Sequence, residues 1–325
     1  MSNSFLELLT LLADGKFHSG SAMGSSLGVS CTTVWKYVQK LLVQGISIES
    51  VKGKGYRLVG GLQLLDESLI RSGVKDDVIA DLGAIDVLME TDSTNDVAMS
   101  YDALALSKGY VCLAEYQKAG RGRRGRHWVS PIGHNIYMSL AWQFEQSITG
   151  LESLSLSVGV IVAEVLENIG LEGVQLKWPN DILLHGRKLG GILLEMSGNP
   201  SEVCKVVIGI GINVRMLNEV SIDQPWACIE EAVAPISRNQ LVACLINQMV
   251  EMLRQFHNKG FAFYKDNWEK YDAYYGAFIV VTSGNNRQEG IAQGVFDNGA
   301  LRLQVGGTEL TIYDGEVSIR LKHAS

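Results

Sequence analysis

Over the first sixty positions the apolar residues recur at helical intervals. In "SFLELLTLLADG" the leucines fall three and four apart, which predicts a short helix closed by Gly15. "SGSAMGSSLG" predicts a second. After the turn "GVS" a third runs through "CTTVWKYVQKLLVQG", with Ser30 as its N-cap and Gly45 as its stop. Val34, Val38, Leu41 and Leu42 mark its inner face, while Thr32, Thr33, Lys36, Gln39 and Lys40 point away. The period then changes to two. "ISIES" and "GYRLV" read as strands joined across "VKGKG", which places Lys52 and Lys54 at the tip of a ribbon.

Helix, helix, turn, helix and a basic ribbon is the pattern of a winged helix-turn-helix, expected over residues 1–62, with the third helix in the major groove. A protein-interaction module of the same shape is the alternative. Threonine, lysine and glutamine on the outer face suit phosphates and base edges, which favours DNA. Trp35 either packs under the helix or protrudes where a polar reader is wanted.

From residue 66 to 273, strand-like runs ("IDVLME", "GYVCLAEY", "NIYMSLAW", "VQLKW", "GGILLEM", "KVVIGIGINV") mix with two strongly helical stretches, "LESLSLSVGVIVAEVLENIG" and "SRNQLVACLINQMVEMLRQFHNKG". Strands and helices that do not strictly alternate predict an α+β domain with a mixed, largely antiparallel sheet. Residues 274–325 offer only short strands, with a hairpin signal at Asp297-Asn298-Gly299, and predict a small β-barrel.

Composition narrows the class. With 46% hydrophobic and 19% charged residues in 325, the chain can bury a large core. No apolar run is long enough to span a bilayer and the N-terminus lacks the features of a secretory signal, so a cytoplasmic protein without membrane partners is expected. Cys31, Cys112, Cys204, Cys228 and Cys244 are odd in number and never at metal-ligand spacing, and read as reduced thiols. The net charge of −7 is unevenly spread: residues 1–60 hold six basic and three acidic side chains, a surplus of +3 that leaves −10 for the rest. The N-terminal module can meet a polyanion that the body would repel.

The densest chemistry lies in "EYQKAGRGRRGRHWVSP", where Gly120, Gly122 and Gly125 spell G-x-G-x-x-G. A dinucleotide site would need a helix next, but Pro131 and Gly133 break one and a strand follows, so that reading fails. What remains is Arg121, Arg123, Arg124 and Arg126 on a glycine backbone. These are planar cationic forks suited to an anion, either on a small ligand or on a nucleic acid. "DSTND" (92–96) and "KWPND" (177–181) each read as a turn or as part of a site, and Lys188 in "GRKLGGILLEM" as a pocket lysine or a solvated hairpin lysine.

"GRGRRG", "KWPND", "RKLGGIL" and "GIGIN", in this order, with a winged helix before and a barrel behind, resemble the biotin protein ligase family, in particular its bifunctional bacterial members that also repress the biotin operon. The resemblance covers essentially the whole chain. It implies a central domain like that of class II aminoacyl-tRNA synthetases and an SH3-like barrel at the end. It also implies an enzyme that makes biotinyl-5′-AMP from biotin and ATP with Mg²⁺, then passes biotin to a lysine of the acetyl-CoA carboxylase biotin carboxyl carrier protein. With the adenylate bound, such a protein dimerises through the sheet of its central domain and represses at operator DNA.

Residue by residue, Arg121 and Arg123 match positions around the biotin carboxylate and adenylate phosphate, with Gly122 between them and Lys188 opposite. Ser93, Thr94, Asn95 and Gln117 match biotin contacts; Trp128 is either a pocket wall or core. Asp181 matches an aspartate that helps the acceptor lysine lose its proton, and Asn180 holds its turn. Asn213 would lie beside the nucleotide and Trp226 on the adenine side, with the 120–126 and 216–228 loops closing over the adenylate. Arg320 either reaches ATP or is a surface arginine. Cys31 and Trp35 depart from the polar residues of the family's recognition helix, and His127 replaces a basic residue. Two variants of the reading stay open: a monofunctional ligase whose first domain does not bind DNA, and a biotin-sensing regulator without ligase activity.

Overall fold

A computed structural model describes residues 3–102, 109–144, 150–199, 203–216, 222, 224–284, 286–315 and 317–322. The first part comprises α1 (Asn3–Leu12), α2 (Gly20–Leu27), α3 (Cys31–Val43) and the antiparallel pair β1 (Ile48–Val51) and β2 (Gly55–Leu58). Ser19 and Ser30 cap α2 and α3 by accepting the backbone N–H groups of Ala22 and Thr33. Val34, Val38 and Leu41 are buried with Phe5, Leu8, Leu9 and Leu12. Leu42, expected on that inner face, is 40% exposed instead, outside the cluster that Val34, Val38 and Leu41 join.

The middle part begins with α4 (Glu67–Gly73), α5 (Asp76–Ile79), β3 (Leu82–Leu88) and α6 (Thr94–Ser100). It continues with β4 (Gly109–Ala114), β5 (Ile136–Phe144), α7 (Leu154–Asn168), β6 (Val174–Lys177), β7 (Asp181–Leu184), β8 (Arg187–Gly198), β9 (Cys204–Ile212), α8 (Arg238–Lys259) and α9 (Lys265–Tyr271). Seven strands form one sheet in the order β3-β4-β5-β9-β8-β7-β6, parallel only between β3 and β4. This is the mixed α+β sheet that the sequence predicted. The register of β9 explains its "GIGI": Ile208 and Ile210 are buried in the core, while Gly209 stands beside Ser139 of β5 and Leu193 of β8 on the opposite face.

The last strands, β10 (Phe278–Ser283), β11 (Asn286–Val295), β12 (Leu301–Val305), β13 (Thr308–Ile312) and β14 (Val317–Leu321), make a second, antiparallel sheet in the order β13-β12-β11-β10-β14. The Asp297-Asn298-Gly299 turn joins β11 to β12, with Gly299 at φ +81. Trp178 Nε1 donates to the Gly299 carbonyl at 3.0 Å and ties this sheet to the middle part.

The first part is bound to the middle as tightly. Ile132 enters the core of the helical module, and Leu62, Met89 and Tyr116 pack against it. The linking backbone is held by a buried ion pair: Arg238 Nη1 meets Glu115 Oε2 at 2.9 Å, Arg238 Nη2 donates to the Gln63 carbonyl at 2.6 Å, and Leu65 N donates to Glu115 Oε1. Asn239 completes the clamp on Leu64 and Asp66. Burying two charges is tolerable because both are so fully bonded.

Candidate active site

A cavity of about 620 Å³ opens between the seven-stranded sheet, the glycine-arginine loop, the 177–181 turn and β14. Two glycines create its floor. A Cβ on Gly209 would stand 2.3 Å from Asn95 Oδ1, and one on Gly211 would stand 2.6 Å from the ring of Trp128. Any larger residue would push the α6 terminus or the indole out of place.

One end of the cavity is neutral and polar. Ser93, Thr94, Asn95 and Gln117 are all buried there. Thr94 N donates to Gln117 Oε1 at 2.9 Å, and Asn95 Nδ2 donates to Glu195 Oε2 at 2.7 Å. Ser139 lies between, its Oγ 2.7 Å from Thr94 Oγ1 and 2.6 Å from Asn95 Oδ1. Thr94, Asn95, Gln117 and Ser139 are therefore fixed before any ligand arrives, which favours recognition of a compact polar group.

The other end is cationic. Arg121 forks onto Asp96 at 2.7 and 2.5 Å and reaches Glu195 at 3.5 Å. Its hydrogen bonds hold the Asp96 carboxyl below the usual range. Gly122 lines the wall beside it, and Arg124 and Arg126, both exposed, line the cavity's edge around a short 3₁₀ turn in which Arg124 takes φ +60. Arg123 reaches across to Asn180 Oδ1 at 3.4 Å and to Asp314 and Gly315 of the second sheet. Asn180 Nδ2 in turn holds the Ile192 carbonyl at 2.7 Å.

Lys188 Nζ donates to Asp181 Oδ1 at 2.5 Å and lies 5.6 Å from the Trp128 ring centroid, so it is a pocket lysine and Trp128 a pocket wall. Lys177 holds the other oxygen of Asp181 at 3.1 Å. Burial works against ionising Asp181, but the two lysines outweigh it and keep the carboxyl below its ordinary value. Asn213 is a clamp: its Nδ2 donates to the carbonyls of Ala227 at 3.1 Å and Lys188 at 3.4 Å, fixing the strand-like segment with Trp226 alongside β8. Trp226 lines the cavity and Arg320 stands exposed at its rim. Residues 217–221 and 223 of the 216–228 loop lie outside the described residues.

A family model described as the Biotin/lipoate A/B protein ligase family matches residues 87–213, and an HTH-domain model matches residues 5–57. The Bifunctional ligase/repressor BirA of Escherichia coli (strain K12) is 40% identical over 318 residues, 97% of each chain. The chain belongs to this ligase family. The Bacillus subtilis (strain 168) Bifunctional ligase/repressor BirA is 32% identical over 94% of this chain and 95% of its own. Among solved structures, the biotin protein ligase from Aquifex aeolicus in complex with biotin and ATP is similar with a TM-score of 0.64 and 29% identity, over 73% of this chain and 99% of that one.

Within this ligase-family cavity, reading the sequence missed Ser139 and Glu195, strand residues whose role appears only when the fold sets them beside a motif residue, and it gave no individual role to Asp96 of "DSTND" or Lys177 of "KWPND". Ser139 could have been found from its place in a run of otherwise apolar strand residues, "NIYMSLAW".

On the helical module, Thr32, Lys36 and Gln39 are exposed on the outer face of α3, as are Lys52 and Lys54 on the β1–β2 turn, Lys54 with its Nζ 5.7 Å from the Phe17 ring centroid. Thr33 is instead half-buried, its Oγ1 3.0 Å from Ser30 Oγ in the N-cap, and Lys40 lies 4.7 Å from the Phe5 ring centroid. Trp35 protrudes, 51% exposed.

Proposed function

We propose that the protein is a biotin–[acetyl-CoA-carboxylase] ligase that also represses transcription. The observation that carries this reading is one cavity with a pre-bonded hydroxyl–amide end and a cationic end built from Arg121, Arg123 and Lys188. The first end suits the ureido ring of biotin. The second suits a carboxylate and an α-phosphate held together.

In the first step a biotin carboxylate oxygen bonds to the α-phosphorus of ATP, the bond to the bridging oxygen breaks, and pyrophosphate leaves. Arg123 and Lys188 stabilise the charge that builds up on the phosphorus oxygens, and no side-chain nucleophile is required. In the second step the amine of a carrier-protein lysine attacks the mixed anhydride and AMP leaves. When the phosphate draws Lys188 away, one oxygen of Asp181 is released to accept the amine's hydrogen bond and then its proton.

Trp226 and Arg320 flank the nucleotide, and Asn213 keeps the Trp226 segment in place. Among the described residues no group of histidine, cysteine, aspartate and glutamate could hold a metal, and Asp96 and Asp181 are already paired with cations. The residues fit a magnesium ion that arrives with ATP, where it would screen the leaving pyrophosphate.

The three-part division at 62/66 and 273/274 and closure of the last sheet as an SH3-like barrel belong to the same reading. So do a cytoplasmic location, dimerisation through the central sheet with the adenylate bound, and operator recognition by Thr32, Lys36, Gln39, Lys52 and Lys54, with Thr33 and Lys40 as flanking contacts. No helix among the described residues is long and apolar enough to cross a membrane.

ATP–pyrophosphate exchange tests the first step. Exchange should require biotin, should not be supported by lipoate, and should fall by about 10²–10³-fold in Arg123→Ala. Exchange driven by lipoate alone would assign the site to another acid. Sedimentation in the presence of biotin and ATP should show a dimer, and persistence of a monomer would remove the repressor part.

A further inference from the structure

Arg123 has the most distant partner of any cation in the cavity. Nη2 donates both to Asp314 and to the Gly315 carbonyl, the latter at 2.5 Å. A guanidinium Nη carries two protons, so Nη2 has none left for a phosphate oxygen, and a two-pronged grip on phosphate through both Nη groups requires its release; Nε–H and one Nη1 proton stay uncommitted among the described residues. Arg121 and Lys188 are also paired with carboxylates, but those come from α6, β8 and β7 of the same sheet domain. Asp314 comes from the turn between β13 and β14, the strand whose Val317, Ile319 and Arg320 wall the cavity. Both partners are largely shielded, Arg123 20% and Asp314 25% exposed. Burial raises the Asp314 carboxyl above the usual range in spite of Arg123, and Glu152 adds to the effect.

We propose that Asp314 is a positioning residue that competes with the nucleotide for Arg123, so that a phosphate that takes Nη2 displaces it and thereby releases the β13–β14 turn from the glycine-arginine loop. The competitor is an oxyanion of the same charge sign and similar reach as the phosphate it stands against. Because the exchange happens between the two sheets, the C-terminal sheet senses whether the nucleotide is present. The proposal rests on assigning Arg123 to the adenylate phosphate.

The test uses the full-length protein with Asp314→Asn, Asp314→Glu, Arg123→Ala and the Asp314→Asn/Arg123→Ala double variant. ATP affinity is read from quenching of tryptophan fluorescence, since Trp128 and Trp226 line the cavity. KM and kcat are read from biotin-dependent pyrophosphate exchange. Asp314→Asn should lower both the ATP Kd and KM by about five-fold, the difference between a charged and a neutral acceptor, with kcat little changed. Asp314→Glu should restore wild-type affinity, and the gain should disappear in the Arg123→Ala background. Unchanged or weaker ATP binding in Asp314→Asn overturns the competition, as does a gain that survives without Arg123. A fall in kcat at constant affinity would also overturn it, making Asp314 an orienting partner in the reacting complex. Intact protein that binds ATP but shows no exchange sinks the adenylation reading instead, while the fluorescence titrations still decide the role of Asp314.

Discussion

The cavity and the outer face of α3 carry the same kinds of side chain, yet they are held quite differently. In the cavity Thr94, Asn95, Gln117 and Arg121 each have a bonded partner before any ligand arrives. On α3, Thr32, Lys36 and Gln39 stand in solvent. The difference matches the partners proposed for each. A small acid is chosen by fixed geometry in a low-dielectric pocket, whereas a duplex is first gripped by charge and then read by side chains that can adjust.

The comparison breaks if the cavity tolerates loss of a held group. Arg123→Ala should reduce the exchange rate by about 10²–10³-fold and leave affinity for non-specific duplex DNA unchanged, as measured by anisotropy. A rate within a few-fold of wild type would mean that the loop clamps nothing.

Asp272 is a third kind of polar site, shielded but poorly satisfied. Its Oδ2 has no hydrogen-bond partner and burial pushes its carboxyl from 3.8 up to about 6. The sign follows from which state ionises first. Below pH 3.8 both the folded and unfolded chains hold the proton and stability is unaffected. As pH rises from 3.8 towards 6 the unfolded chain ionises while the folded chain keeps its proton, and stability falls by roughly 3 kcal/mol before levelling off. Asp272→Asn should therefore flatten the decline of Tm between pH 4 and pH 7; an unaltered slope would show that water reaches the carboxylate.

Smaller effects sharpen the contrast. Glu195→Gln weakens the acceptor for both Asn95 and Arg121 and should raise the KM for biotin on the order of ten-fold, with a smaller change in the KM for ATP through Arg121. If both constants move by the same factor, Glu195 supports the fold and not the ring-binding end. Smallest is Lys36→Ala, which should weaken DNA binding a few-fold and reduce the salt dependence by about one counterion. A change in half-site preference without a change in salt slope would instead make Lys36 a base reader.

Most of this was legible where a short stretch determines its own conformation. Ser30 caps α3 because its hydroxyl meets the N–H group three residues on, and the inner face follows from period alone at Val34, Val38 and Leu41. The motif residues also converge: Arg123, Asn180, Asp181 and Lys188 line one cavity. What escaped was set by register or by packing between domains. Glu195 acts because β8 runs alongside β9, and Asp314 because the second sheet folds back over the loop. Thr33 and Lys40 face outward in helical projection, yet a neighbouring hydroxyl and the Phe5 ring divert them. Ser30 is only three residues from Thr33, so that contact was within reach of a local reading, whereas no short window around Lys40 contains Phe5.

Residues 115–117 carry a practical lesson about dissecting the molecule. Within three consecutive positions, Glu115 anchors the linker, Tyr116 packs against the helical module, and Gln117 lines the cavity. A ligase fragment begun after the linker would lose the Gln63 and Leu65 bonds to the Arg238–Glu115 pair and bare Ile132, Met89 and Tyr116 to water. A fragment that keeps residues 63–66 retains the polar half of that joint, and exchanging Ile132 for a polar residue would suit its newly exposed surface. The seam where the two activities can be separated therefore runs through the side chains of the middle domain rather than through a point in the chain.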